Sequence, residues 1–600
     1  MQETILKYLA DRGRMGVRLK AYSLIPQEIE KEKESIEAII GFMTSYLPEK
    51  LREEGIRGFK ITDYNRDNLK DVHGNELESY KFRINTLRKS KARVDDVATF
   101  SSKEELVKNL DLGIIKKILT DPKIEIIGID ESKIDVPYPG SSIAYLKTVA
   151  YRLYTKDGQT YELVGPLLEQ IRIKPSESEK FEKENAFLSY IHNMFIIYLS
   201  ILTSIVQGYR PVVFLHGPLV RPIGGFTDLH FDYKTLTEVF SVTESAIKEL
   251  DLPENWEDIG LDTDTIQKLK SIRVKTPKDV LNYFIADNWI SEFHQIELEN
   301  ARKIYRTPDL RTAWKNMLPR PVNSKGEWES KDIPKEEREY PALNLYLWML
   351  KKLFELSKIF NVPIIACVDN ISASTEITKH VIPSLFRNTT TVVPKKIKDI
   401  LREKFKVFPR SSSDPAEFYK YIFNLLDVLN VPDYLIFTLV LNEAEYTSPI
   451  PTYRYLTRQF FEDNFGHGYY GIRNIYQPII DFYFPITKKR ILVSYLRTTP
   501  LREPIRLEFF DIYHNPESPK YTEWIGATYL LGLLYESYGL PIVLYYADKV
   551  ARTHKSMIES LVQSSLLEIL IESLRNEPNI NPYFVFSLVT KLGVRNFFKR

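Results

Sequence analysis

In three segments of the chain, a side chain that can bind a metal follows an apolar run. Asp130 follows the run IEIIGI, His216 follows PVVFL, and Asp548 follows GLPIVLYY with one alanine between. Short apolar runs bounded by polar residues predict buried strands. Carboxylate and imidazole groups bind borderline divalent ions such as Mn²⁺. The pattern therefore predicts a metal centre at three strand ends, a construction typical of metal-dependent nuclease cores.

Each of these three residues also has a purely structural interpretation. Asp130 is compatible with a strand-end acid that caps a turn, and His216 with a buried histidine whose hydrogen bonds are satisfied. Asp548 is compatible with an acid near a helix N-terminus, which the helix dipole favours. The residues alone leave both interpretations open.

Three further acids are candidates for the same metal centre. Glu131 is the neighbour of Asp130, Glu184 lies near the start of a predicted long helix, and Asp369 ends the apolar strand VPIIACV. Asp369 is equally interpreted as a cap for the following segment, because an aspartate side chain accepts hydrogen bonds from the first helical N–H groups. All three remain candidate ligands.

Four basic residues are candidates for contacts with phosphate. Lys549 and Arg552 lie about one helical turn apart, so one helix face would present both. Arg88 and Lys89 belong to a basic cluster between residues 83 and 93 without interleaved aromatic residues. A solvated charged surface also accounts for both pairs, and phosphate contact is the functional alternative.

The composition is typical of a soluble globular protein without a global charge signal. The 600 residues include 82 basic and 80 acidic side chains, a net charge of +2, so any nucleic-acid surface must be local. The single cysteine, Cys367, excludes internal disulfides and cysteine-rich zinc sites, and its apolar surroundings predict burial. Abundant Tyr, Ile and Lys favour a thermophilic source. No phosphate-binding loop GxxxxGK[ST] occurs, so ATP-driven work would require a partner.

Residues 187–209 lack charged side chains over a length that could span a membrane. Polar residues interrupt the segment and a strand-like run follows at once, so we predict a helix buried against a sheet. The N-terminus is charged and helix-like and does not resemble a signal peptide. We therefore expect no membrane association and a cytoplasmic location.

The order of predicted elements favours an α/β fold. A short strand ending at Asp130 precedes two runs joined at Asp157-Gly158, and Asp-Gly between alternating runs is a good hairpin signal. A helix at about 177–207 and a strand at 211–216 follow. Three consecutive strands, a helix and a strand are typical of an RNase H-like mixed sheet flanked by helices. Further strands are predicted at YLIFTLVLN, RILVSYLRT, IRLEFFDIY and LPIVLYY.

Changes in composition and periodicity divide the chain into five predicted regions. A mostly helical N-terminal region precedes the α/β core, a helical insertion interrupts the core, and a short tail follows. Residues 260–284 of the insertion loosely resemble a helix-hairpin-helix module of DNA-binding proteins, with plain helical packing as the alternative. The regions are 1–120 (N-terminal), 121–239 (core, first part), 240–340 (insertion), 341–575 (core, second part) and 576–600 (tail).

Taken in order, the motifs resemble the NurA nuclease family. They are Ile-Asp-x-Ser at a strand end, Gly-Pro-Leu after a second strand, a helix before VPIIACV, and Tyr-Gly-Leu-Pro-Ile before Ala-Asp-Lys-x-Ala-Arg. The resemblance covers about 121–235 and 341–575. It implies an RNase H-like core related to the PIWI domain of Argonautes.

The resemblance also implies a set of site residues. Asp130 matches the family's first catalytic aspartate, with Glu131 in place of the glycine that follows it. His216 falls where a second motif has an aspartate, and Asp548 falls where many members have a histidine. The family's catalytic glutamate is unassigned in this chain. Asp130, His216 and Asp548 are thus the implied catalytic and metal-binding residues, with Mn²⁺ or Mg²⁺ as the cofactor.

The function implied by the resemblance is that of a DNA nuclease, working as a homodimer with a hexameric HerA-like ATPase in archaeal DNA-end processing and repair. The change from aspartate to His216 removes a negative charge from the site, and Asp548 restores one elsewhere. The alternative is a catalytically degenerate NurA-like protein that binds DNA or the ATPase as a scaffold or regulator. A third, weaker hypothesis is another RNase H-like nuclease, related to Argonautes or transposons.

Overall fold

The computed structural model describes residues between 107 and 552, with larger gaps at 111–120, 221–228, 238–252, 280–285, 307–317, 370–431, 453–490 and 534–538 and several shorter ones. The cluster with Arg88 and Lys89, most of the predicted N-terminal region and the predicted tail lie outside the described residues. The limits of the five regions stay a prediction.

The described residues form one mixed sheet of ten strands and a second sheet of two strands. The strands are β1 (Val107–Asn109), β2 (Ile124–Tyr138), β3 (Ser141–Lys156), β4 (Gln159–Lys174), β5 (Arg210–His216), β6 (His230–Asp232), β7 (Glu339–Pro341), β8 (Ile364–Val368), β9 (Glu445–Thr447), β10 (Ile450–Thr452), β11 (Ile491–Leu496) and β12 (Ile505–Phe510). Strands β6 and β7 form the small sheet.

The large sheet runs in the order β1-β9-β11-β12-β8-β5-β2-β3-β4, with β10 paired to β11. Within it, β2, β3 and β4 are consecutive antiparallel strands, β5 lies parallel to β2, and β8 lies parallel to β5. Strand β2, the first of these five in the chain, is central among them. This is the arrangement predicted from three consecutive strands, a helix and a strand, so the RNase H-like fold class is confirmed.

Seven α-helices lie within the described residues: α1 (Glu179–Val206), α2 (Thr263–Ser271), α3 (Ala286–Arg306), α4 (Ala342–Phe360), α5 (Asp433–Val440), α6 (Pro519–Gly532) and α7 (Ile542–Arg552). Successive side chains of a strand point to opposite faces of its sheet. In β2, Glu131 contacts Ser189 of α1, whereas Gly128 lies against Val543 of α7. Helices α1 and α7 therefore cover opposite faces of the central strand.

The long helix α1 is a core helix of this layered structure. Among the described residues, one helix, Phe181–Val206, is long and apolar enough by composition to cross a membrane, but 89% of its most apolar window is buried inside the protein. Fully burying an aliphatic or aromatic side chain contributes about 1.5–3 kcal/mol, so packing accounts for an apolar helix of this kind. The prediction of a helix buried against a sheet is confirmed.

Two of the predicted strands are helices. The segment YLIFTLVLN lies largely in α5, which begins after Pro432, and a short apolar run does not distinguish a strand from a buried helix. The segment LPIVLYY lies largely in α7. The buried residues Val543, Ala547 and Ala551 of α7 recur every four positions, the spacing of one helix face. The segment LPIVLYY is too short to show this spacing, which requires the following residues up to Ala551.

A buried histidine of α1 makes the stability of the fold depend on pH. Neither ring nitrogen of His192 has a hydrogen-bond partner among the described residues. Burial, followed by the charge of Arg172, lowers the pKa of His192 from 6.5 to about 3. Between these values the unfolded chain binds the proton and the folded chain does not, so stability falls as the pH falls.

We expect this contribution to disappear in the variant His192→Phe. At a pH about one unit below 6.5, wild type should lose about 1.4 kcal/mol of unfolding free energy that the variant keeps. Chemical denaturation of both proteins at neutral and mildly acidic pH measures the difference. Parallel pH dependence in the two proteins would contradict the assignment of a neutral buried histidine.

Candidate metal centre

Asp130 and His216 lie side by side on neighbouring parallel strands. Ile129 of β2 pairs with Leu215 of β5, so the next residue of each strand shares the opposite face. His216 Nδ1 lies 3.1 Å from Asp130 Oδ1. The prediction that Asp130 ends a strand is wrong, because β2 continues for eight further residues to Tyr138 through its pairing with β3. His216 does end its strand, as predicted.

Asp369 reaches the same histidine from the next strand. His216 pairs with Cys367 of β8, and Asp369, two positions further on, shares the face of Cys367. Its Oδ1 lies 3.3 Å from His216 Nε2, so the imidazole lies between two carboxylates. Burial alone lowers the pKa of His216, but the hydrogen bonds and charges of Asp130 and Asp369 outweigh burial and raise this pKa to about 10. The imidazole between two carboxylates is therefore positively charged.

Asp548 enters the site from α7, on the face of the sheet that carries Asp130. Its position on a helix corrects the prediction of a third strand end. Ligand atoms of Asp130, His216 and Asp548 lie within 4.8 Å of one another. The side chain of Asp548 also forms an ion pair with Arg552, whose Nε lies 2.5 Å from Asp548 Oδ1, one turn further along α7. Side chains from two strands and one helix thus converge on one small volume.

The buried carboxylate of Asp130 is suited to a cation. Burial is the main cause that raises the pKa of Asp130, and the neighbouring Asp548 carboxyl raises it further, whereas His216 lowers it. Asp130 Oδ2 is buried and has no hydrogen-bond partner among the described residues. Buried polar atoms without a partner are rare and call for one. Two carboxylates and an imidazole form a donor set that Mn²⁺ accepts, so these residues fit the metal that the resemblance implies.

The two candidate glutamates contact other parts of the protein. Glu131 accepts hydrogen bonds from Ser189 and Asn193 of α1, on the face of the sheet opposite to Asp130. Glu184 lies near the start of α1 and pairs with Arg172 at 3.2 Å. Neither belongs to the group of converging ligand atoms within the described residues. The side-chain alternation along β2 explains why the immediate neighbour of Asp130 is turned away from it.

The two basic residues of α7 that the sequence singles out lie at the rim of the site. Lys549 is exposed, and its Nζ lies 4.3 Å from the centroid of the Tyr545 ring. The side chain of Arg552 is 71% exposed and holds Asp548. Both therefore lie within one turn of Asp548 on the solvent side of the helix.

Two cations near the site are not among the sequence candidates. Arg502 precedes β12 and lies 3.4 Å from Asp369 Oδ2, a contact for which the sequence contains no local signal. Lys147 pairs in register with Ser132 of β2, so it shares the face of Asp130. Its side chain is 1% exposed and lies 3.4 Å from Glu169. A lysine on an otherwise apolar and aromatic face of β3 is the signal that could have identified it.

Comparisons with known proteins identify the family of this chain. A model of the NurA domain matches residues 125–553. The chain is similar to a crystal structure of the NurA nuclease from Sulfolobus solfataricus, with 12% identity and a TM-score of 0.33 over 82% of this chain and 94% of that chain. It is also similar to a crystal structure of NurA bound to dAMP and manganese, with 12% identity and a TM-score of 0.30 over 84% and 95% of the two chains. No match was found among the curated proteins. Because the domain model covers well over half of the sequence, the chain belongs to the NurA family.

Proposed function

We propose that the protein is a divalent-metal-dependent DNA nuclease of the NurA type. The observation that carries this proposal is the convergence of Asp130, His216 and Asp548 within 4.8 Å, inside a matched NurA domain. These residues come from three elements far apart in the sequence. Among them lies Asp130 Oδ2, which is buried and has no hydrogen-bond partner in the described part of the chain, a feature that a structural role for Asp130 does not require.

A bound Mn²⁺ or Mg²⁺ ion would supply the charge that activates water and stabilises the leaving oxygen in phosphodiester hydrolysis. Asp130 and Asp548 provide carboxylate oxygens, and His216 provides a ring nitrogen. Burial of Asp130 limits the access of bulk water, which strengthens electrostatic interactions within the site. Lys549 and Arg552 at the rim provide positive charge for the phosphate backbone of DNA.

The proposal extends to partners by way of the family. We propose that the protein acts on DNA ends as a homodimer with a HerA-type hexameric ATPase, in the cytoplasm. Family membership supports this assembly, and so does the absence of a phosphate-binding loop from the sequence, since translocation along DNA by ATP hydrolysis would need another protein. The same domain match supports DNA as the substrate.

The test is nuclease activity of the purified protein on single- and double-stranded DNA. We expect degradation in the presence of Mn²⁺, weaker or equal degradation with Mg²⁺, and none after treatment with a chelator. Readdition of Mn²⁺ to the chelated protein should restore activity. Equal degradation with and without chelator would contradict a metal-dependent mechanism.

A second candidate is a NurA-like protein that binds DNA without cutting it. The charged imidazole of His216 between Asp130 and Asp369 favours this candidate, because it already neutralises part of the negative charge that would hold a cation. The same purified protein would then shift DNA in a binding assay, with or without Mn²⁺, while leaving it intact. Measured binding of Mn²⁺ at the Asp130 site, accompanied by cleavage, would exclude it.

A further inference from the structure

We infer that Asp369 is a positioning residue that orients His216, so that the imidazole presents Nδ1 to a metal held with Asp130 and Asp548. This inference rests on the proposed function and assigns roles within its site. It is based on the different partners of the two ring nitrogens: Nδ1 lies 3.1 Å from Asp130 Oδ1, and Nε2 lies 3.3 Å from Asp369 Oδ1.

The position of Asp369 suits an orienting role better than a direct ligand role. Its Oδ1 is engaged by His216 Nε2, and its Oδ2 lies 3.4 Å from Arg502. Both oxygens therefore have a cationic or donor partner within the described residues. Asp130 differs, because its Oδ2 has no such partner there. The converging group of ligand atoms contains Asp130, His216 and Asp548 and leaves Asp369 outside.

The chemistry of a metal-binding histidine gives Asp369 its function. A ligating imidazole commonly donates its other ring N–H to a carboxylate, which fixes the tautomer and the ring orientation and makes the ligating nitrogen more basic. In the metal-free site the charged imidazole carries a proton on Nδ1 as well as on Nε2. Binding of a metal would displace the Nδ1 proton, while Nε2 would keep its hydrogen and donate it to Asp369, leaving the Nδ1 lone pair for the metal. A single metal could then contact both the imidazole and the neighbouring carboxylate.

The sheet fixes the distance between the two residues. His216 is the last residue of β5 and pairs with Cys367 of β8, and Gly217 donates its backbone N–H to the Cys367 carbonyl at 2.9 Å. Asp369 follows two positions later. Backbone hydrogen bonds on both sides of the pair therefore hold His216 and Asp369 in register without relying on mobile side chains.

The experiment measures Mn²⁺ binding directly, by electron paramagnetic resonance titration of the full chain. We expect Asp369→Asn to weaken Mn²⁺ binding about 10–100-fold, the usual effect of removing the partner of a ligating histidine. The matched control is Asp264→Asn, the same chemical change at a side chain that is 72% exposed and lies in α2. The control should bind Mn²⁺ as wild type does. Equal affinity of Asp369→Asn and wild type would overturn the inference.

A double-mutant comparison separates an effect through His216 from a general effect of charge or folding. In a His216→Asp background there is no imidazole to orient, so adding Asp369→Asn should not weaken Mn²⁺ binding further. If Asp369→Asn weakens Mn²⁺ binding by the same factor in both backgrounds, the positioning role is overturned. Pulsed paramagnetic resonance should detect the nitrogen coupled to Mn²⁺ in wild type, and this coupling should be absent in His216→Asp.

The outcomes for wild type distinguish the two proposals. Binding of Mn²⁺ with nitrogen coupling, together with DNA cleavage, supports both. Binding of Mn²⁺ without nitrogen coupling overturns the assignment of His216 and Asp369 but leaves the metal-dependent nuclease in place. Failure of wild type to bind Mn²⁺ overturns both.

Discussion

Replacing Asp130 with alanine is expected to abolish Mn²⁺-dependent DNA cleavage. Asp130 supplies the one buried carboxylate oxygen of the site that lacks a partner within the described residues. Mutation of a residue that supports a metal ligand commonly lowers metal affinity or activity about 10–100-fold. Loss of the ligand itself should therefore lower activity at least about 100-fold. A gel-based or fluorescence assay of single-stranded DNA degradation measures the loss.

Thermal unfolding distinguishes loss of the metal from loss of the fold. A ligand at about 100 times its dissociation constant stabilises a protein by about 2.7 kcal/mol. Wild type should therefore unfold at a higher temperature with Mn²⁺ than with chelator, and Asp130→Ala should show no such increase. Without metal the two proteins should unfold at similar temperatures. Wild-type activity in Asp130→Ala would refute the assignment of the site.

Replacing Gly128 with valine is expected to displace α7 and with it the metal centre. A Cβ atom at Gly128 would lie 2.4 Å from both the backbone carbon and the backbone oxygen of Val543. Extra atoms in a packed core cost about 1–3 kcal/mol and sometimes more, and backbone atoms cannot turn away as a side chain can. We expect Gly128→Ala to lower the free energy of unfolding by about 1 kcal/mol and Gly128→Val to lower it by more than about 3 kcal/mol.

The same substitutions should weaken Mn²⁺ binding, because Asp548 lies on the helix that Gly128 contacts. The matched control is Ile129→Val, one position along β2 on the opposite face, which should cost about 0.5–1.5 kcal/mol and leave Mn²⁺ affinity unchanged. Trimming Val543 to alanine should not rescue Gly128→Ala, since the closest atoms belong to the backbone. Full rescue, or unchanged Mn²⁺ binding in Gly128→Val, would refute the proposed contact.

The sequence predicts the part of the fold in which local patterns and pairings agree. Alternating runs on either side of Asp157-Gly158 predict the strands β3 and β4, and an uncharged segment at 187–209 predicts the buried helix α1. The prediction from sequence is wrong at α7, because the aromatic and β-branched residues in LPIVLYY favour a strand. The helical spacing of apolar residues becomes clear only when the pattern is followed to Ala551. The prediction also ends β2 too early, because pairing with β3 beyond Asp130 is a tertiary effect.

The candidate site divides in the same way. Asp130, His216 and Asp548 could be selected because each follows an apolar run, and the structure brings all three together. The link between His216 and Asp369 could not be predicted, since it depends on the register of β5 against β8. Arg502 could not be found at all, because its approach to Asp369 depends on the path of the chain before β12.

The large separation in sequence between Asp130 and Asp548 has a consequence for synthesis of the protein. The ribosome makes β2 and β5 well before it makes α7. A growing chain folds from its N-terminal side, and contacts between distant residues form last. Until α7 has emerged and packed against Gly128, the nascent chain contains only part of the metal centre. Under the proposed nuclease function, DNA cleavage would therefore be restricted to chains synthesised at least as far as α7.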